Sequence, residues 1–309
     1  MSARSQGIVL GLVACILWGI TFVIPRVLHE ASPVLVTLCR YIFFGSFSLG
    51  VLAFRRKEVR KTITKKHLKM SFFLSIMSNS LYYVLAVIGL RLVGVPFGSL
   101  VIGLVPITLV LFGREGTLNR KMYESCGLIF IGLLCLNYQV FAGDSLSNES
   151  QFMKLVGVVV VFTCLTMWTI YGIQNGRYLK ANPEIRGGIW TSLIGVMSLF
   201  SLICMLPVLI PLAGNPFTEW LGFSSDIKIK IILWSLLSGF LASWFAYTMW
   251  NKASKLLPTS FLGQIVVVET ISAITADHII DRSWPSAMTL IAVLFVLSGT
   301  YWGMKNSTK

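Results

Sequence analysis

The chain has 309 residues, of which 55% are hydrophobic and 12% charged, and its formal net charge is +14. A soluble domain of this size needs about a quarter of its residues charged, so the composition excludes one and predicts an integral membrane protein. At about 20 residues for each membrane helix, ten helices use about two thirds of the chain and leave only short connections.

Ten apolar runs predict ten membrane-spanning helices. The five runs of the first half cover residues 7–28, 33–54, 69–91, 96–113 and 122–141. The five runs of the second half cover residues 155–179, 186–211, 229–252, 258–280 and 286–304. The predicted fold class is therefore an all-α integral membrane protein.

The Lys and Arg residues between the runs predict the orientation of the chain in the membrane. They concentrate on one side, above all in the connection 55–69. Since basic connections remain in the cytoplasm, both termini are predicted to be cytoplasmic. This topology accounts for the positive net charge without a nucleic-acid partner, and a site for anionic lipid or nucleic acid in 55–69 is the alternative interpretation.

The two halves of the sequence share a pattern. Trp18 precedes Pro33 by the same interval that separates Trp168 from Pro183, and a proline opens both the fourth and the ninth run. Because each half has five helices, an odd number, the second half must enter the membrane in the opposite sense, as in the inverted repeats of secondary transporters. The two predicted repeats are residues 1–143 and residues 144–309.

Five short motifs along the chain are typical of one family of membrane proteins. They are Leu17-Trp18-Gly19, Cys39-Arg40-Tyr41, Tyr247-Thr248-Met249-Trp250-Asn251, Leu256-Leu257-Pro258 and Val267-Val268-Glu269-Thr270. In these motifs the chain resembles the EamA family of the drug/metabolite transporter superfamily. Within that family it resembles the YtfF-type inner-membrane proteins, through Asn79-Ser80-Leu81-Tyr82-Tyr83 and Gly103-Leu104-Val105-Pro106. Two positions differ from the usual pattern, since Thr270 replaces a proline and Ile280-Asp281-Arg282 replaces a Gly-Glu pair.

The resemblance implies a fold and a broad function. The fold is ten transmembrane helices arranged as two inverted five-helix EamA-type repeats, in a bacterial inner membrane with both termini cytoplasmic. The function is movement of small metabolites such as amino acids. Fold leaves the individual substrate open, because function resides in sites that differ between proteins of one fold.

Two charged residues are predicted to meet inside the membrane. Arg40 lies about 10 Å from the outer end of the second helix and Glu269 about 16 Å from the inner start of the ninth, so in a core of about 30 Å their depths nearly coincide. We expect an ion pair between them, either direct or bridged by a substrate. Arg40 can bind a carboxylate through two nitrogens, while Glu269 can take a proton or hold an amine. A structural salt bridge, or an Arg40 that extends to the interface, is the alternative.

Further candidates for the substrate site are polar and aromatic. Asn79 and Tyr83 belong to a polar stripe on the third helix, which either lines a cavity or bonds neighbouring helices. Trp18, Trp168 and Tyr247 are predicted to form cavity wall, with ordinary packing as the alternative.

The sequence favours a secondary transporter, an exporter or exchanger that works by alternating access between the repeats. No phosphate-binding loop or metal motif occurs, so we expect no cofactor, no metal and no enzymatic activity. The predicted partners are a small-molecule substrate, the lipid bilayer and protons as a candidate coupling ion, and the oligomeric state is left open. A membrane-embedded enzyme and a non-transporting membrane scaffold are the alternatives.

Overall fold

The computed structural model describes residues 2–113, 120–141 and 150–306. Throughout these ranges the secondary structure consists of helices and connecting turns, without a strand. The predicted all-α class is confirmed.

The helices follow one another with short connections. In chain order up to residue 141, they are α1 (Ala3–Ile20), α2 (Ile24–Val27), α3 (Pro33–Phe54), α4 (Arg56–Thr62), α5 (Lys65–Ser78), α6 (Ser80–Val93), α7 (Val95–Ile102), α8 (Val105–Phe112) and α9 (Arg120–Phe141). From residue 150 onward, they are α10 (Gln151–Ala181), α11 (Gly187–Ala213), α12 (Pro216–Gly222), α13 (Ser225–Leu237), α14 (Ala246–Leu256), α15 (Thr259–Asp281) and α16 (Ala287–Asn306).

Eight helical stretches in the described ranges are long and apolar enough to cross a membrane. They are α1, α3, α5 with α6, α10, α11, the run from α13 to α14, α15 and α16. A shorter apolar stretch, Phe97–Phe112, covers most of α7 and α8, and α9 coincides with the fifth predicted span. Each predicted span therefore falls on one helix or on consecutive helices.

The third predicted span is not one continuous helix, which corrects the sequence expectation. Asn79 has φ −128° and ψ −83°, outside the helical region, and separates α5 from α6. Asn side chains form local hydrogen bonds that compete with those of a helix. The backbone stays paired across this interruption, since Asn79 N–H donates to the Ser75 carbonyl oxygen and Tyr83 N–H donates to the Asn79 carbonyl oxygen, each at 2.9 Å. Such pairing is needed because lipid offers no partner for free backbone groups.

A second irregularity lies between α13 and α14. Residues Ser238–Phe245 form a π-helical segment, in which backbone bonds run from residue i to residue i+5. Such segments are rare in proteins, and those that occur often lie at functional sites. The sequence did not predict it, because these residues are as apolar as the helices on either side.

The most extensive helix contacts join the first half of the chain to the second. They pair α1 with α14 and α15, α3 with α11, α6 with α10, α8 with α15, and α9 with α16. The largest buried cluster contains Trp18 of α1, Tyr171 of α10, and Tyr247 and Trp250 of α14. The two halves therefore interleave around an aromatic centre.

The two ends of the bundle are fastened by charged residues. At the end that carries the connection 55–69, called the basic end here, Glu58 contacts Arg186 Nε at 3.0 Å and Arg55 Nη1 at 3.3 Å. At the opposite end, the backbone N–H of Ser32 donates to Glu219 Oε1 at 2.6 Å, and Ser32 Oγ donates to Glu219 Oε2 at 2.5 Å. Helix α12 thus holds the start of α3.

Candidate functional site

Arg40 lies on α3 and reaches the π-helical segment. Its Nε donates a hydrogen bond of 2.8 Å to Ser243 Oγ, which is itself buried. The two helices are close at this point, since a Cβ added to Gly239 would lie 2.9 Å from the Arg40 carbonyl oxygen. The terminal nitrogens of the guanidinium make no hydrogen bond or ion pair with a described residue, so they remain free to bind an anion.

Glu269 lies on α15 and is half-buried. Its carboxylate makes no hydrogen bond and no ion pair with any described residue. It does interact electrostatically with Arg40, and Tyr247 interacts electrostatically with both charges. The two charges therefore share one region of the bundle without direct contact, and a substrate that bridges them stays a prediction.

Asn79 connects the break in the third span to two tyrosines. Its Oδ1 accepts hydrogen bonds from Tyr41 OH at 3.2 Å and from Tyr247 OH at 3.3 Å, and its Nδ2 donates to Ser78 Oγ at 3.0 Å. The side chain is only 4% exposed. These bonds satisfy the amide where the helix is interrupted and fix both phenol rings beside the site.

Trp18 fastens α1 to the π-helical segment. Its indole Nε1 donates to the Ala242 carbonyl oxygen at 2.8 Å. Its ring also packs edge-on against Tyr247, with centroids 5.2 Å apart, and lies 5.3 Å from the ring of Trp250. Trp168 joins the same cluster, 6.2 Å from Trp18. Trp18 therefore contacts both of the other predicted wall residues, Trp168 and Tyr247.

Tyr83 takes a position at the edge of the site. Its hydroxyl donates to the Pro33 carbonyl oxygen at 2.7 Å, at the start of α3. It also interacts electrostatically with Arg40. Tyr83 thus lies between the region that contains Arg40 and Glu269 and the end of the bundle that is opposite the basic end.

Two buried donors in the aromatic cluster lack partners. Tyr171 OH and Trp250 Nε1 make no hydrogen bond within the described part of the chain, although Tyr171 is 0% and Trp250 1% exposed. Buried polar atoms almost always have a partner, and an exception calls for an explanation such as an absent ligand. Neither ring is among the residues that the sequence predicted for the site.

Sequence reasoning also missed Ser243, the partner of Arg40. The only available signal was the helical spacing of Ser243, Tyr247 and Trp250, which places them along one face. Such spacing is common in membrane helices and does not by itself identify a contact.

The fold and the site together define a multi-pass α-helical membrane protein with ionisable groups inside its bundle. Placing such groups in lipid costs free energy, and they commonly mark substrate or ion pathways. Residues 5–138 match the EamA-like transporter family. This match confirms the resemblance to the EamA family that the sequence motifs indicated.

Similarity to known relatives extends over nearly the whole chain. The chain is 26% identical to the inner membrane protein YtfF of Escherichia coli (strain K12) over 302 residues, which cover 95% of this chain and 93% of YtfF. It is 22% identical to a probable amino-acid metabolite efflux pump of Salmonella typhimurium, with 95% of each chain covered. A crystal structure of 15% identity superposes with a TM-score of 0.72 over 99% of both chains, and so shares the fold.

Proposed function

We propose that this protein is a secondary transporter, an exporter or exchanger, for small zwitterionic metabolites of the amino-acid type. The match of residues 5–138 to the EamA-like transporter family supports transport rather than catalysis. The relative named as a probable amino-acid metabolite efflux pump supports the substrate class. We also propose an inner-membrane location, which is supported by the name of YtfF.

Helix packing supports two inverted five-helix repeats, residues 1–143 and 144–309. If the halves are exchanged, the packed pair α1–α14 corresponds to the packed pair α10–α6. The same exchange maps each of three further packed pairs onto itself, namely α3–α11, α8–α15 and α9–α16. This is the pattern expected from a twofold axis in the membrane plane, and two such halves can expose a central site to each side in turn.

The charge distribution supports cytoplasmic termini. The basic end of the bundle carries the connection 55–69, and the positive-inside rule assigns such an end to the cytoplasm. The opposite end, with Glu219 and the α12 helix, then faces the periplasm.

The observation that carries the proposal is that the Glu269 carboxylate and the terminal guanidinium nitrogens of Arg40 interact electrostatically without direct contact, and that neither has a partner among the described residues. A charged group inside a bilayer needs a counter-charge, a ligand or a proton. A zwitterion satisfies both groups at once, because Arg40 binds its carboxylate in a bidentate manner and Glu269 accepts its ammonium. The neighbouring aromatic rings favour the same cation.

The test is transport of an amino-acid panel by the purified protein in proteoliposomes, with and without an imposed pH gradient. We expect Arg40→Lys and Glu269→Gln each to reduce transport by about tenfold or more, since a hydrogen bond to a charged group contributes about 1.5–3 kcal/mol. Glu124→Gln is the matched control, because Glu124 pairs with Arg120 at 3.1 Å at an exposed position. Dependence on the gradient that disappears in Glu269→Gln would identify Glu269 as the proton-coupling group.

The alternatives make different predictions in the same experiment. If Arg40→Ala and Glu269→Gln insert normally and transport at the wild-type rate, the assigned site is wrong. If no member of the panel moves in any liposome, the scaffold interpretation gains support. Turnover of a substrate into a new product would favour an enzyme.

A further inference from the structure

A groove opens at the basic end of the bundle, between α3, α11 and α14. It has a volume of about 650 Å³ and lies apart from the aromatic centre. Its wall includes Phe47, Gly50, Trp244, Thr248 and Lys252.

The rim of this groove carries excess positive charge. Arg55, Arg186 and Lys252 line it, and Glu58 contacts the two arginines. Lys252 makes no hydrogen bond or ion pair with any described residue. Three cations beside one carboxylate leave an excess of two positive charges, so the rim attracts an anion.

The first turn of α11 adds backbone donors to the rim. This helix of 27 residues begins at Gly187, and the residue before it, Arg186, gives no side-chain cap. The first N–H groups of a helix lack internal partners, and the helix dipole favours negative charge there. A Cβ added to Gly187 would lie 3.1 Å from Lys252 Cγ, so glycine allows the lysine to lie close to these donors.

Thr248 provides an independent indication of a ligand. Thr248 is 4% exposed and lines the groove, and its Oγ1 has no hydrogen-bond partner among the residues that the structure describes. Buried hydroxyls seldom lack a partner. We take this hydroxyl as a candidate hydrogen-bond partner for a molecule bound in the groove.

Deeper in the membrane the groove becomes aromatic. The ring of Phe47 lies 4.9 Å from that of Trp244 and 5.0 Å from that of Phe240. Trp244 is two helical turns from Lys252, about 12 Å along the axis. Phe54, beside the rim, is 89% exposed. A ligand that fits has an anionic head and an apolar tail.

We propose that this groove binds an acidic phospholipid of the membrane leaflet at the basic end. Lys252, Arg186 and the first N–H groups of α11 bind the phosphate, and Thr248 hydrogen-bonds a headgroup or ester oxygen. The start of an acyl chain lies along Phe47 and Trp244. Basic residues near the membrane surface attract anionic lipids in this way.

The first test compares two lipids with identical acyl chains, phosphatidylglycerol and phosphatidylcholine, binding to the delipidated full chain by native mass spectrometry. We expect phosphatidylglycerol to bind at least tenfold more tightly. Lys252→Gln lowers this affinity about fivefold, the effect of one cation near an anionic surface, and Thr248→Val lowers it as well. Lys66→Gln, an exposed cation of the same end outside the groove, leaves it unchanged.

A second test fills the groove without removing a charge. A Cβ added to Gly50 or to Gly127 has no atom within 4 Å, so both positions accept a larger side chain. Gly50→Phe, inside the groove, abolishes the preference for phosphatidylglycerol, whereas Gly127→Phe on α9 retains it.

Three results would overturn the assignment. Equal affinity for the two lipids excludes recognition of the acidic headgroup. An equal loss in Lys66→Gln and Lys252→Gln means that only general surface charge attracts the lipid. Displacement of the lipid by millimolar glycerol phosphate means that the groove holds a soluble phosphate compound and not a lipid.

Discussion

Trp18 Nε1 donates its hydrogen bond to the Ala242 carbonyl oxygen, so the first helix holds the π-helical segment of the span between α13 and α14. The next residue, Ser243, accepts from Arg40. Two helices of the first half thus bind consecutive residues of the second half, at the depth of the candidate site.

Trp18→Phe should separate this hydrogen bond from ring packing. The phenyl ring keeps most of the aromatic contact but leaves the Ala242 carbonyl oxygen without its indole donor. Side-chain hydrogen bonds in membrane proteins contribute about 0.6 kcal/mol on average and about 1.7 kcal/mol at most, and we expect a loss of stability in this range, measured by unfolding in detergent. Trp302→Phe is the control, because its Nε1 bonds Glu124 at 3.3 Å at an exposed position. Equal losses in the two variants would contradict the prediction.

Ser243→Ala should weaken substrate binding through Arg40. The variant removes the acceptor that orients the guanidinium, so we expect KM to rise about fivefold, corresponding to about 1 kcal/mol, while kcat changes little. Ser235→Ala is matched to it, since Ser235 lies on α13 and its buried hydroxyl has no partner among the described residues. That variant should be neutral in transport and in stability. A KM of Ser243→Ala equal to that of Ser235→Ala would show that Ser243 does not position Arg40.

Tyr171→Phe should distinguish a ligand-binding hydroxyl from an unsatisfied one. Without substrate the variant should be as stable as the wild type or more stable, because removing an unpaired buried hydroxyl is favourable. With substrate its stabilisation should be smaller than that of the wild type. Tyr178→Phe is the control, since its hydroxyl is also buried and unpaired but its ring stacks on Trp190, away from Trp18. Equal substrate stabilisation in Tyr171→Phe and the wild type would remove Tyr171 from the site.

Gly19→Ala should disturb the packing of α1 against α15. A Cβ at Gly19 would overlap the Glu269 carbonyl oxygen and Ser272 Cβ. Overpacking of this kind typically destabilises by about 1–3 kcal/mol, and the displaced α15 should also reduce transport. Gly127→Ala, where a Cβ meets open space, should melt like the wild type. Identical melting temperatures for the two alanine variants would show that α1 and α15 move apart without a loss of stability.

The contact between Glu30 and Lys230 should weaken in acid. A backbone hydrogen bond, and then the hydrogen bond from Lys230, hold the pKa of Glu30 below its ordinary value of 4.5. A lowered pKa in the folded state contributes stability above that ordinary value and loses it as the pH falls through the lowered pKa. The difference in melting temperature between the wild type and Glu30→Gln should therefore shrink below pH 4.5. A constant difference down to pH 3 would refute this contribution.

The membrane spans and both charged candidates could be predicted from the sequence, because each depends on local composition. Apolar runs of sufficient length form helices wherever they lie in a bilayer, and Arg40 and Glu269 are conspicuous as charges inside such runs. The break at Asn79 depends instead on Tyr41 and Tyr247, which are distant in sequence. The pairing of Arg40 with Ser243 likewise depends on how two helices from different halves are packed. Local patterns carry no information on such contacts.

The π-helical segment Ser238–Phe245 changes how far one end of its span is rotated about the helix axis relative to the other end. An α-helix turns by about 100° per residue, and the wider turns insert the equivalent of an extra residue. A helical wheel drawn through the whole run from Ser225 to Leu256 therefore assigns Tyr247 and Trp250 to the wrong face. Alignment with a relative that lacks the wider turns calls for a one-residue gap within 238–245, and deletion of one residue there should restore α-helical turns and keep both rings beside Trp18.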